Sequence, residues 1–179
     1  MCNFLKNLFP KNWRRVRGKS QSIKINTDDL AGNYRDQSNN TQFHIASCQS
    51  TGRERSHNED TIFSLYAQLD GLNQPLPFGI FLVADGMGGH QSGEVASNLA
   101  AKAVSQTLMR QVYDEFLFEG DDFSDEAVLK SIRSAIDDAQ KLITSRVPGG
   151  GTTLTLVLIM GERLFFGHVG DCRLYTIDG

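Results

Sequence analysis

Residues 78–90 read FGIFLVADGMGGH, an apolar run that stops on an aspartate and then breaks into glycines. The run predicts a buried strand over 78–84 that ends with the carboxylate of Asp85 at the rim of a sheet. Gly86, Gly88 and Gly89 let the following backbone bend and approach its surroundings where a side chain would obstruct it. A helix is expected from Gly93 onward. An acidic residue on a rigid strand end, next to a loop that can approach a ligand closely, suits a hard cation with oxygen ligands. A strand–turn–helix whose aspartate only caps the turn fits the same residues.

The rest of the chain extends this pattern. QFHIASCQS (42–50) and TIFSLYAQL (61–69) alternate as strands do, separated by the charged connection TGRERSHNED. A first helix is expected over about 93–118, with Ala96, Leu99, Ala100, Ala103, Val104 and Leu108 on one face. EGDDFSD breaks it, with Ser124 as N-cap and Asp125 and Glu126 in the first turn of a second helix. That helix carries Val128, Ile132, Ala135, Ile136, Ala139 and Ile143 on one face and stops before Pro148 and the glycines 149–151. Three further strands are expected: 152–160, then 163–169 after a tight Gly161-Glu162 turn, then 172–177. Helices grouped between runs of strands argue an α+β fold, with helices packed on antiparallel sheets.

With 179 residues the chain can build one domain with a real core. The net charge of −3 gives no reason to expect nucleic acid as a partner, and it hides an asymmetry. Residues 1–40 hold eight Lys/Arg and three Asp/Glu, whereas the remainder holds ten and eighteen. An acidic body favours cations over polyanions as ligands. Residues 1–19 form a basic N-terminal segment in which Phe4, Leu5, Leu8 and Phe9 accompany six Lys/Arg. Two readings fit it: weak contact of residues 4–19 with an anionic membrane surface or a partner, or a solvated, fraying terminus. Residues 20–41, rich in Ser, Asn, Gln and Asp, read as a polar linker, so the globular part is 42–179. Cys2, Cys48 and Cys172 are too far apart for zinc spacing or a disulfide framework, which fits a reducing, cytoplasmic compartment, at most peripheral to the membrane.

Charged residues recur at strand ends. Arg55 precedes Asn58-Glu59-Asp60, Asp85 ends the apolar strand, and Asp171 follows LFFGHV. Carboxylates gathered at one rim repel each other unless a cation neutralises them. An arginine beside them makes sense where a phosphate must be held near a metal.

RSHNED, VADGMGGHQSGEVAS, GGGTTLTLVLI and FGHVGDCRLYTIDG together resemble the successive motifs of the metal-dependent type 2C serine/threonine protein phosphatases, the bacterial members most of all. The resemblance covers about 42–179. It implies a four-layer αββα sandwich, two antiparallel sheets flanked by helix pairs, with a two-metal site at one sheet edge. By resemblance, Asp85 bridges two Mg²⁺ or Mn²⁺ ions and Gly86 lends a backbone carbonyl to one of them. Glu59 and Asp60 match the acidic pair of the metal shell, Arg55 matches the arginine that binds substrate phosphate, and Asp171 matches the aspartate of the Gly-Asp motif near the metals. Arg55, Asp60 and Asp85 are thus the expected catalytic residues. His57 and His90 sit in the motifs, where a solvated or hydrogen-bonded loop histidine fits as well as a general acid. The implied substrates are phosphoserine and phosphothreonine proteins, with a cognate serine/threonine kinase as a further partner. The implied reaction is in-line attack on phosphorus by a metal-bound water, without a phosphoenzyme.

The family's domain runs on past residue 179, with two more metal-site aspartates that this sequence does not contain. The expectation is therefore a type 2C domain with its C-terminal part missing, of low activity and marginal stability as given. The alternative is a non-catalytic, phosphatase-like binding or regulatory module.

Overall fold

A computed structural model describes residues 43–51, 57–70, 75–88 and 91–177. Five strands form an antiparallel sheet: β1 (Asp60–Asp70), β2 (Pro75–Met87), β3 (Gly151–Thr152), β4 (Leu154–Met160) and β5 (Arg163–Val169). The order across the sheet is β1-β2-β4-β5, and the two-residue β3 pairs with the end of β2. Between β2 and β3 lie α1 (Gln91–Leu108), a π-helical turn (Met109–Tyr113), α2 (Asp114–Glu119), a 3₁₀ turn (Gly120–Asp122) and α3 (Asp125–Arg146).

Alternation along the strands decides which face carries the core. Phe78, Ile80, Leu82 and Ala84 of β2 and Leu154, Leu156, Leu158 and Met160 of β4 are all buried. They share one core with Ala96, Ala100, Val104 and Leu108 of α1 and with Val128, Ile132, Ala135, Ile136, Ala139 and Ile143 of α3. α1 packs on β1 and β2, and α3 packs on α1 and reaches β5. The other face presents Ile62, Phe81, Val83, Val157 and Phe166, none of them buried; Val83 is 43% exposed. Among the described residues, one sheet and a helical layer on one of its faces account for the fold. It is α+β, as the grouping of helices between strands implied.

Several boundaries differ from the sequence expectation, each for a physical reason. Residues 43–51 form no strand among the described residues, so alternation at 42–50 reflects side-chain placement rather than a ladder. Residues 172–177 likewise form no strand among the described residues. β2 runs three residues beyond the expected end at 84, because Gly86 and Met87 pair with Thr152 and Gly151. Asp85 therefore lies inside a paired strand rather than in a turn. The strand expected over 152–160 is split at Thr153, which turns its hydrogen bonds toward Asp85.

The first helix is interrupted by the π turn. One row of its buried residues recurs every fourth position: Ala96, Ala100, Val104, Leu108, Val112 and Phe116. A strict four-residue repeat drifts by roughly 40° per step on an α-helix. The wider π turn absorbs part of that drift and keeps Val112 and Phe116 on the core side. Phe78 meets Tyr113 and Phe116 there, at ring-centroid distances of 4.8 and 5.5 Å. α3 starts where expected, with Ser124 in an extended N-cap conformation (φ −64°, ψ 131°). The Ser124 side chain makes no capping hydrogen bond; its carbonyl accepts the first helical N–H, from Val128. The Gly161-Glu162 turn also stands as expected, with Met160 and Arg163 paired on either side.

Candidate metal edge

Antiparallel pairing brings the start of β1, the end of β2, the start of β4 and the end of β5 to one end of the sheet. Asp60 and Asp85 are cross-strand partners there. Directly opposed residues point to the same side of a sheet. That side is the one away from the helices, since the neighbouring Ala84 faces the core. Both aspartates are half-buried. The Asp60 N–H donates to Asn58 Oδ1 at 3.0 Å, which shapes the entry into β1.

Glu59 is held differently. Its carbonyl accepts the N–H of Gly86 at 3.1 Å and the hydroxyl of Ser97 at 2.7 Å. Ser97, fully buried on α1, also lies 2.9 Å from Thr61 Oγ1. The Glu59 side chain is 11% exposed and lies against Gly93: a Cβ added at Gly93 would come within 2.7 Å of Glu59 Oε2. The carboxylate therefore rests beside the first turn of α1, where the helix dipole favours negative charge. His57 Nε2 stands 3.6 Å from Glu59 Oε1, so a protonated ring would pair with it.

The glycines of the motif now have a specific reason. A Cβ on Gly86 would collide with the Gly93 carbonyl and lie 2.6 Å from the Glu59 carbonyl. β2, α1 and the Glu59 backbone meet at a distance only glycine permits.

Asp85 is fixed from the other side by the two threonines after the glycine run. Thr153 N–H donates to the Asp85 carbonyl at 2.9 Å, and the Thr152 hydroxyl donates to it at 3.0 Å. The Asp85 N–H donates to Thr153 Oγ1 at 3.0 Å. Asp171 follows Gly170, whose φ of +105° suits glycine, and is exposed. His168 steadies this turn: its Nε2 is 3.0 Å from the Gly170 carbonyl, and its Nδ1 is 3.0 Å from Thr155 Oγ1. A carbonyl only accepts, so in the contact with Gly170 it is Nε2 that donates.

The structure thus brings Asp60 and Asp85 together, with Glu59 and Gly86 next to them, and puts Asp171 on the same sheet end. Asp171 follows β5, two strand spacings from β2, or roughly 10 Å. Among the described residues no three His, Cys, Asp or Glu side chains converge closely enough to hold an ion. Arg55 and His90 lie outside the described residues, as do the segment 1–19 and the linker 20–41. Two opposed carboxylates facing away from the core fit one side of a hard divalent cation. The described donor set is partial. Sequence reasoning assigned no role to Thr152, Thr153, Ser97 or His168. Ser97 had a readable signal, a small hydroxyl next to the apolar stripe of Ala96 and Ala100.

Residues 49–179 match the protein phosphatase 2C family, and the chain belongs to that family. It is 35% identical over 129 residues to the serine/threonine protein phosphatase PstP of Mycobacterium tuberculosis, covering 72% of this chain and 22% of PstP. To the serine/threonine phosphatase stp of Listeria monocytogenes it is 32% identical over 133 residues, covering 71% of this chain and 47% of that protein. The chain thus spans about half or less of the length of these relatives. A crystal structure of the PstP catalytic domain in complex with two manganese ions aligns with 67% of this chain and 44% of its own at 30% identity, with a TM-score of 0.43. Among the described residues no helix is long and apolar enough to cross a membrane.

Proposed function

We propose that this chain carries the first part of the active site of a metal-dependent protein serine/threonine phosphatase. Asp60 and Asp85 would hold a divalent ion, Mg²⁺ or Mn²⁺, with the Gly86 carbonyl, Glu59 and Asp171 contributing directly or through water. When bound, such an ion lowers the pKa of a coordinated water and stabilises charge on phosphoryl oxygens. The chain's own residues supply the frame. Ser97 and Gly86 fix the Glu59 backbone, the two threonines fix Asp85, and Arg55 would bind the phosphate of a phosphoserine or phosphothreonine protein. A cognate kinase that makes this substrate, a cytoplasmic location and weak membrane contact through residues 4–19 belong to the same reading.

The observation that carries it is the opposition of Asp60 and Asp85 on adjacent strands. Like charges directly opposed are unfavourable in a sheet, and a cation between them removes the cost. The partial donor set among the described residues supports low affinity and low turnover, since hard cations gain binding from ligand charge and number. Hydrolysis of p-nitrophenyl phosphate and of a phosphothreonine peptide with Mn²⁺ tests it. Slow, Mn²⁺-dependent hydrolysis that is lost in Asp85→Asn is expected. Hydrolysis indifferent to Mn²⁺, or unchanged in Asp85→Asn, would overturn the assignment. A chain that binds Mn²⁺ and phosphopeptide without any turnover would favour the binding-module reading instead, which the absence of a three-residue donor cluster among the described residues supports.

A further inference from the structure

Thr153 lies between the two halves of the candidate edge. It is 2% exposed and belongs to neither β3 nor β4. Its hydroxyl oxygen accepts the N–H of Asp85 at 3.0 Å and lies 3.1 Å from Cys172 Sγ, within hydrogen-bonding distance for a sulfur partner. Because the oxygen's role toward Asp85 is to accept, its own proton is available to the sulfur. Its methyl group lies under Gly170: a Cβ added there would come within 2.7 Å of Thr153 Cγ2. Its backbone N–H donates to the Asp85 carbonyl at 2.9 Å. One buried residue therefore touches the strand position that carries Asp85 and both neighbours of Asp171.

We propose that Thr153 is a positioning residue that sets the spacing between Asp85 and the Gly170–Cys172 turn bearing Asp171, with its hydroxyl as the shared point of attachment. The proposal rests on the metal reading above for its consequence, but not for its geometry. The ladders through β4 fix β5 against β2 only as far as Val169, and Asp171 lies beyond the last paired residue. A buried hydroxyl bonded to both sides supplies the remaining constraint, whereas valine, of the same shape, fills the space without it. Groups that orient ligands in this way typically change metal affinity ten- to a hundredfold when removed.

The test compares Thr153→Val, which keeps the shape, with Thr153→Ser, which keeps the hydroxyl, in the full 179-residue chain. The readouts are amide hydrogen exchange at Asp85 and Cys172 and Mn²⁺ affinity by titration calorimetry. Circular dichroism confirms that both variants fold. The expected result is faster exchange at Asp85 in Thr153→Val, with Mn²⁺ affinity reduced about tenfold, and recovery of both to within threefold of wild type in Thr153→Ser. Wild-type exchange and affinity in Thr153→Val would overturn the proposal. Equal losses in both variants would also overturn it, since they would show a packing role rather than a hydroxyl role. A wild-type chain that binds no Mn²⁺, with exchange at Asp85 raised in Thr153→Val and restored in Thr153→Ser, would overturn the metal reading while supporting the attachment.

Discussion

Asp60 and Asp85 face one another across β1 and β2, two carboxylates in register at the end of a sheet. Directly opposed like charges cost stability, on the scale of about 0.2–1 kcal/mol that cross-strand pairs carry. Metal-free Asp85→Asn should therefore be as stable as wild type or more so by that amount. The wild type should gain stability on adding Mn²⁺, about 2.7 kcal/mol when the free ion reaches a hundredfold excess over Kd, and the variant should not. Thermal melts with EDTA and with Mn²⁺ check both halves. A variant that loses stability in EDTA, or still shifts with Mn²⁺, contradicts the arrangement.

Glycine at the two ends of the helical region serves different ends, and substitution separates them. At Gly86 an added Cβ meets only backbone, the carbonyls of Gly93 and Glu59, so Gly86→Ala should cost about 3 kcal/mol or more. Gly149 has a φ of +79° but nothing within 4 Å of an added Cβ, so Gly149→Ala should cost only about 1–2 kcal/mol of backbone strain. Urea unfolding of the two variants measures the difference; equal costs would mean that the close approach of β2 and α1 is not real.

Ser97 gives a third test on the helix side of the edge. Its hydroxyl, fully buried, donates to the Glu59 carbonyl and lies 2.9 Å from Thr61 Oγ1. Ser97→Ala should leave both partners short of a hydrogen bond, at a cost of about 1–3 kcal/mol. Amide exchange at Gly86, which donates to the same Glu59 carbonyl, should quicken as well. Unchanged stability would show that water or a rearranged Thr61 replaces the serine.

Most of the architecture was legible because it depends on periodicity. The helical stripes, the Gly161-Glu162 turn and β5 stand where the pattern of apolar residues put them. The strands expected at 42–50 and 172–177 do not form among the described residues, because alternation says where side chains point, not which strand a segment pairs with. The π turn was invisible to a reading that assumed one helical pitch. The four-residue spacing from Ala96 to Phe116 was its only trace. At the site, the aspartates could be read from their place at strand ends. Their mutual distances could not, since these depend on strand order: β4 inserts between β2 and β5 and carries Asp171 away from Asp85. Thr153 was unreadable for the same reason, as its partners lie 68 and 19 residues away.

The last prediction concerns the opposite end of the sheet. Arg163 opens β5 with its side chain 9% exposed, and Nη1 donates to the Phe123 carbonyl and to Asp125 Oδ1, the latter at 2.9 Å. It thereby ties the start of α3 to the sheet, so that the helix begins in contact with the strand it covers. Arg163→Ala removes both bonds and leaves the Phe123 carbonyl without this donor, which should cost about 1.5–3 kcal/mol. Asp125→Ala should cost less, within about 1 kcal/mol, because Asp125 is 34% exposed and Arg163 keeps its bond to Phe123. Arg163 lies at the end of the sheet remote from Asp60 and Asp85, so Arg163→Ala should leave the stabilisation by Mn²⁺ intact, whereas Asp85→Asn abolishes it. Urea unfolding of the single and double variants, with and without Mn²⁺, reads all three quantities. An Arg163→Ala chain that no longer responds to Mn²⁺ would mean that the two ends of the sheet are coupled through the core rather than independent.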